Sequence, residues 1–220
     1  MSRSHLQHAS EPAWDEMAWP VPEGTELRGK HVRLTSVDPA AHAEGLFAAL
    51  DHSQVWQHFG TPRPSDAAQL AAGLAHFGQS PDLRQWAVVA VRPVGGFTAG
   101  DVIGVSSYLD ASPHNARVEI GATAYSPSVW STAVNPETKL LLLRYAFETL
   151  NCARVQFRTD VRNERSRRAI LGIGAVHEGT LLRYERRIDG TIRDTALYSI
   201  PADRWPDVAK HLTHRVEALE

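Results

Sequence analysis

Glu119 stands in "RVEIGA" as a single carboxylate between Val118 and Ile120, in a stretch that alternates with period two. On a strand it points away from those two neighbours. If they face the core it faces a cleft or solvent, where a carboxylate can take a proton. The structural alternative is a cross-strand partner for Arg117 or Arg158. A second chemical signal lies in "WSTAVNPETKLLLLRYAFETL", residues 130–150. Leu140 to Leu143 run without a break, so the helix expected over 136–150 is buried on most sides, under a sheet. Its start is marked by Asn135 as cap, Pro136 at the first helical position and Glu137 at the positive end of the dipole. A buried helix reached by a short polar loop is a ready anion site. A third signal is "RTDVRNERSRR", where Asn163 caps a further helix and Ser166 lies in its first turn.

Other chemistries are poorly supported. The eleven histidines show no ligand spacing, so no metal site is expected. Cys152 is the single cysteine, which excludes an intramolecular disulfide, and no His or Asp partner marks it as a nucleophile; it reads as a buried small residue. Arg158, Arg162, Arg165, Arg167 and Arg168 form a basic run without aromatic interleaving, in a chain of net charge −2. Most of them read as a solvated helix face, one or two as phosphate ligands, and neither nucleic acid nor membrane is an expected partner.

Positioning these groups takes a chain of 220 residues, 43% of them apolar and 22% charged, ordinary values for a globular protein with a sizeable core. No apolar run approaches a membrane span, the N-terminus lacks the apolar core of a signal peptide, and cysteine use suits a reducing compartment, so a cytoplasmic protein is expected. Three units follow: an arm over 1–28 with Trp14 and Trp19, a domain over 29–202, and a C-terminal helical extension over 203–220. The arm is expected to pack through its tryptophans, on its own chain or across a homodimer. Strands are expected at 31–37, 84–92, 101–110, 116–125, 153–160, 175–188 and 191–200. Helices are expected at 39–51, 66–79, 136–150, 163–174 and 206–219.

That order, with "VEIG" (118–121), "NPETKLLLLRYAFE" (135–148), "TDVRNERSRRAI" (159–170), "GAVHEGTLL" (174–182) and "RDTALYSI" (193–200), resembles the GCN5-related N-acetyltransferases. Within them it is similar to the RimJ/RimL-like branch, over roughly residues 28–202. The resemblance implies a mixed α/β fold. Its central, mostly antiparallel twisted sheet has about seven strands, splays between the fourth and fifth, and is flanked by helices. It implies acetyl-CoA as cosubstrate, in the wedge of that splay, with its pyrophosphate at the loop before the main helix. In this chain the loop is Trp130, Ser131, Thr132, Ala133, Val134 and Asn135. The family's loop reads Gln/Arg-x-x-Gly-x-Gly/Ala, so both glycines and the leading Gln or Arg are missing here.

The resemblance further implies direct transfer, in a ternary complex, to a primary amine on a protein N-terminus or a small molecule. Amine acetylation needs a proton acceptor and a donor for the leaving thiolate. Glu119 is the expected base and Ser166 the expected donor, with Tyr184 behind it. Asn163 is expected on the pantetheine arm and Arg168 at the cofactor phosphates. The alternative reading is a catalytically degenerate member of the fold that binds acyl-CoA or a protein partner, favoured by the missing glycines.

Overall fold

The computed structural model describes residues 13–219; the first twelve residues of the expected arm lie outside the described residues. The elements run β1 (Leu27–Arg28), β2 (Val32–Ser36), α1 (Pro39–Leu50), α2 (Ser53–Trp56), α3 (Ala67–Phe77), β3 (Arg84–Ala90), β4 (Val102–Ser112), β5 (Arg117–Tyr125), α4 (Val134–Arg144), β6 (Arg154–Asp160), α5 (Glu164–Gly172), β7 (Val176–Arg186), β8 (Ile192–Pro201) and α6 (Trp205–Glu217). The strands form one sheet of eight in the order β1-β2-β3-β4-β5-β6-β8-β7. About seven were expected; β1 has two residues and leaves no periodic signal.

Every neighbouring pair in the sheet is antiparallel except β5 with β6. That parallel pair is short. Arg117, Val118 and Glu119 face Arg154, Val155 and Gln156, and beyond Glu119 the two strands no longer pair. β5 continues to Tyr125 and β6 to Asp160, so their far halves diverge as the two sides of a wedge. On its other side β5 carries a bulge. Gly121 pairs with Ser107 and Ala124 with Val105, and between them Ala122 takes φ 44°. A bulge of this kind reverses the facing of the residues that follow it.

α4 lies against one face of the sheet. Leu142, Leu143 and Ala146 join Val32, Leu34, Trp86, Val118, Phe157 and Tyr198 in one core, which α6 completes with Trp205, Val208 and Leu212. α1 and α3 cover the other face through Leu46, Leu50, Leu70 and Leu74, against Val105 and Ala124. Of the arm, Met17 and Val21 enter the main core. Trp19 donates from Nε1 to the Pro81 carbonyl (2.9 Å), and Trp14 from Nε1 to that of Asn151 (2.9 Å).

α4 departs from expectation at both ends. It begins at Val134 with Ala133 at the cap position, so Asn135 and Pro136 lie inside the first turn and Asn135 caps nothing. A proline fits there because the N–H it lacks has no intrahelical partner in the first turn. At the far end a π turn over Tyr145–Thr149 follows the α-helix.

Glu137 was expected at the helix dipole. It does lie in the first turn of α4, and it is also a buried tie to the first hairpin. Its carboxylate accepts backbone N–H bonds from Lys30 (2.8 Å), His31 (2.7 Å) and Val32 (2.8 Å). A Cβ at Gly29 would stand 2.6 Å from its Oε2, so only glycine lets the turn close on it. Glu137→Gln keeps the volume but turns an amide N–H₂ toward backbone donors. It should cost about 2 kcal/mol of stability, read from the urea midpoint at unchanged m.

Candidate active site

The expected site residues lie on three elements around the opening between β5 and β6: β5 itself, the loop before α4, and the start of α5. Glu119 is the last β5 residue paired with β6 and is 4% exposed. Its Oε2 accepts from Arg158 Nε and, at 3.3 Å, from Gln156 Nε2. The Arg158 guanidinium also reaches Asp110 and donates from Nη1 to the Tyr184 hydroxyl (2.5 Å). The cross-strand pairing weighed for Glu119 is therefore present, with Arg158 and not Arg117. Glu119 Oε1 accepts no bond among the described residues. Burial raises the carboxyl above its ordinary pKa, and Arg158 opposes that shift. A Cβ at Gly121 would stand 3.0 Å from Oε1 and 2.7 Å from Leu109 Cδ1, so glycine leaves the space beside the carboxylate. A cavity of about 430 Å³ opens next to this cluster, lined by His76, Phe77, Asp82, Leu109, Asp110 and Arg158 among others.

The loop 130–135 forms the wide end of the wedge. Trp130 donates from Nε1 to the Tyr125 carbonyl (3.2 Å), and Thr132 Oγ1 accepts the Val134 N–H (3.3 Å). The positions of the missing glycines do not demand glycine here. Ala133 has right-handed helical angles and is 3% exposed, its methyl turned into the core, and Asn135 is helical. The positive φ falls on Ser131, at 62°. A helix beginning this way keeps first-turn N–H groups without intrahelical acceptors, and its dipole favours an anion. The residues present therefore fit a phosphate-bearing cosubstrate at this end.

On the third side, Asn163 caps α5 as expected, its Oδ1 accepting from Ser166 N–H (3.0 Å). Arg168 points elsewhere. Its side chain is 73% exposed and pairs with Glu164 (3.2 Å). Arg165 is the arginine that meets the loop, with Cζ 3.6 Å from the centre of the Trp130 ring. It also reaches across to the Gln54 carbonyl at 3.4 Å. Among the described residues no group of His, Cys, Asp and Glu comes together as a metal site, and no helix is long and apolar enough to cross a membrane. Burial pushes the Cys152 thiol up to about 12, which leaves it protonated and inert.

A mostly antiparallel sheet opened at its one parallel pair, with a buried helix starting at the open end, is the architecture of an acyl-CoA-dependent acetyltransferase. The family model described as Acetyltransferase (GNAT) domain matches residues 31–176, and the chain belongs to that family. Among solved structures, it is 26% identical to a GCN5-related N-acetyltransferase from Brucella melitensis, covering 92% of this chain and 89% of that one, with a TM-score of 0.83. A candidate acetyltransferase from T. thermophilus is 34% identical, over 90% of this chain and all of that one, with a TM-score of 0.79. The uncharacterized N-acetyltransferase YoaA of Bacillus subtilis (strain 168) is 25% identical over 165 residues, 74% of this chain and 89% of that protein. The protein is an N-acetyltransferase that moves an acetyl group to an amine, and its family uses acetyl-CoA. The degenerate-fold alternative is set aside.

Proposed function

We propose that acetyl-CoA lies along the open edge of β5, with its phosphates at Trp130 to Asn135 and its acyl end at Glu119. The observation that carries this reading is the loss of β5–β6 pairing directly after Glu119. It leaves a strand edge running from a buried carboxylate to a helix N-terminus. When bound, the thioester supplies the activated acetyl group. The chain's own residues do the rest. First-turn N–H groups of α4 hold the phosphates, and the Asn163 amide, whose N–H₂ is not used in capping, orients the arm. Glu119 Oε1 accepts the proton that the incoming ammonium must lose. Ser166, close to Asn163, offers its hydroxyl to the departing sulfur.

The acceptor reaches Glu119 from the cavity beside Arg158. That side is walled by α3 and the end of β4, and it takes a primary amine of a small molecule or a protein N-terminus, as in the RimJ/RimL-like branch that the five sequence blocks resemble. The reading is tested by thermal stabilisation with acetyl-CoA, followed by thiol release against a panel of amines. Asn163→Ala should weaken acetyl-CoA binding about 10-fold by calorimetry, the size of one buried hydrogen bond. Unchanged affinity in that variant would count against the placement of the arm.

A further inference from the structure

Lys139 is 6% exposed, lies in the second turn of α4, and has no carboxylate partner among the described residues. Its ammonium donates to the hydroxyls of Thr123 (2.8 Å) and Ser106 (3.2 Å), which are bonded to each other at 2.8 Å. Burial alone drives its pKa down, to about 7. A buried cation without a counter-charge destabilises a fold, and a methionine would fill the same space without that cost. The position of Thr123 supplies a reason to keep it. Ala122 and Thr123 are the bulged residues of β5, outside the register with β4 on one side and past the last β6 pair on the other. Neither residue has a register partner in a neighbouring strand. The side-chain ties of this stretch run through Thr123 to Lys139 and Ser106, and through a longer bond to the Gly121 carbonyl (3.3 Å).

We propose that Lys139 is a positioning residue for acetyl transfer, acting through the Thr123 hydroxyl to fix the bulged edge of β5 against which the acyl arm must lie. The inference rests on the cosubstrate placement proposed above. From Glu119 to Tyr125 the edge spans six residues, about 20 Å of strand. An arm that joins phosphates at the α4 end to a thioester at Glu119 has to pass Ala122 and Thr123. Ala122 holds a left-handed φ without being glycine, a conformation that persists only where surrounding bonds impose it. Lys139 touches neither substrate. It sets the shape of the strand that does.

The test compares Lys139→Met, Thr123→Val and Thr123→Ser in the full chain. Three quantities are measured: acetyl-CoA affinity by calorimetry, turnover with the best amine of the panel, and amide exchange of Gly121 to Thr123 in the ligand-free protein. Lys139→Met and Thr123→Val should lose about 10- to 100-fold in kcat, the size of a small misplacement at the reacting centre, with affinity within about 3-fold of wild type. Exchange at the bulge should quicken about 10-fold in both. Thr123→Ser keeps the hydroxyl and should restore all three. Lys139→Met should also melt no lower than wild type, which separates positioning from a role in holding the fold. Turnover of Lys139→Met within twofold of wild type overturns the proposal, and so does a loss of turnover that follows a loss of folded protein. If wild type binds acetyl-CoA but Asn163→Ala leaves its affinity unchanged, the cosubstrate placement fails first and the role of Lys139 fails with it.

Discussion

Glu119→Gln should lower turnover about 10²- to 10⁴-fold, the usual loss when a general base is removed, while leaving acetyl-CoA affinity close to wild type. The substitution keeps the side-chain volume in a site where the carboxylate is buried and has Gly121 beside it. It removes the buried carboxylate proposed to take the proton of an arriving ammonium. Arg158 decides how that base titrates. Burial lifts the Glu119 carboxyl above its ordinary range, and the guanidinium on Oε2 pulls it back. Arg158→Gln removes the opposing charge, so the Glu119 pKa should rise further. The acidic limb of the kcat/KM profile should then move to higher pH, since the base becomes available only above its own pKa. A profile that stays in place, or near-normal turnover in Glu119→Gln, would assign the carboxylate to cross-strand pairing alone.

The ease of reading this site from the sequence differs sharply between residues. Glu119 was legible because period two around Val118 and Ile120 determines which way its side chain points. Arg158 as its partner was legible only as one of two choices, because the choice depends on how β5 and β6 pair in parallel. Asn163 was legible because capping is a local matter of one side chain and the next backbone turn. The start of α4 falls earlier than its sequence signals, at Val134. Asn135-Pro136 signals a cap and a first helical residue, but the same pair fits inside a first turn, and Thr132 meets the Val134 N–H in its place. Arg165 and Arg168 are one helical turn apart, and their own types do not say which meets Trp130; that follows from where α5 packs relative to α2. Glu137 and Lys139 were the hardest. "PETK" has the residue types of an ordinary first helical turn, and nothing local in it says what Glu137 and Lys139 meet. It is buried because the hairpin β1–β2 closes over one side of α4 and the bulge of β5 over the other. Such contacts join residues far apart in the chain and leave no local pattern.

Lys139→Met should be more stable than wild type at pH 7 by about 3 kcal/mol, and the difference should shrink as pH rises. In the native state burial holds the Lys139 pKa near 7, whereas the unfolded chain returns it to its ordinary value of 10.5. Below pH 7 both states carry the proton and the native state bears the full cost of a buried cation. Between pH 7 and 10.5 the native lysine is neutral while the unfolded one is charged. The unfolded state then binds more protons, so wild-type stability rises with pH across that window, by about 2 kcal/mol from pH 7 to 9. Two hydrogen bonds to Thr123 and Ser106 offset part of the cost, about 1–2 kcal/mol, which keeps the variant's gain below the full shift. His42, His58 and Cys152 act outside the compared range of pH 7 to 9. The depressed His42 and His58 exert their effect below the ordinary histidine value of 6.5. The raised Cys152 thiol lowers stability only above its ordinary value of 9. Urea unfolding of both proteins at pH 6, 7, 8 and 9 reads the result directly. Wild-type stability that stays flat from pH 7 to 9, with Lys139→Met less stable at pH 7, would mean that the lysine is solvated and the ammonium supports the fold. A variant that gains stability while losing turnover instead shows what the chain keeps the lysine for: the stability it forgoes is the cost of fixing the bulged edge along which the acyl arm lies.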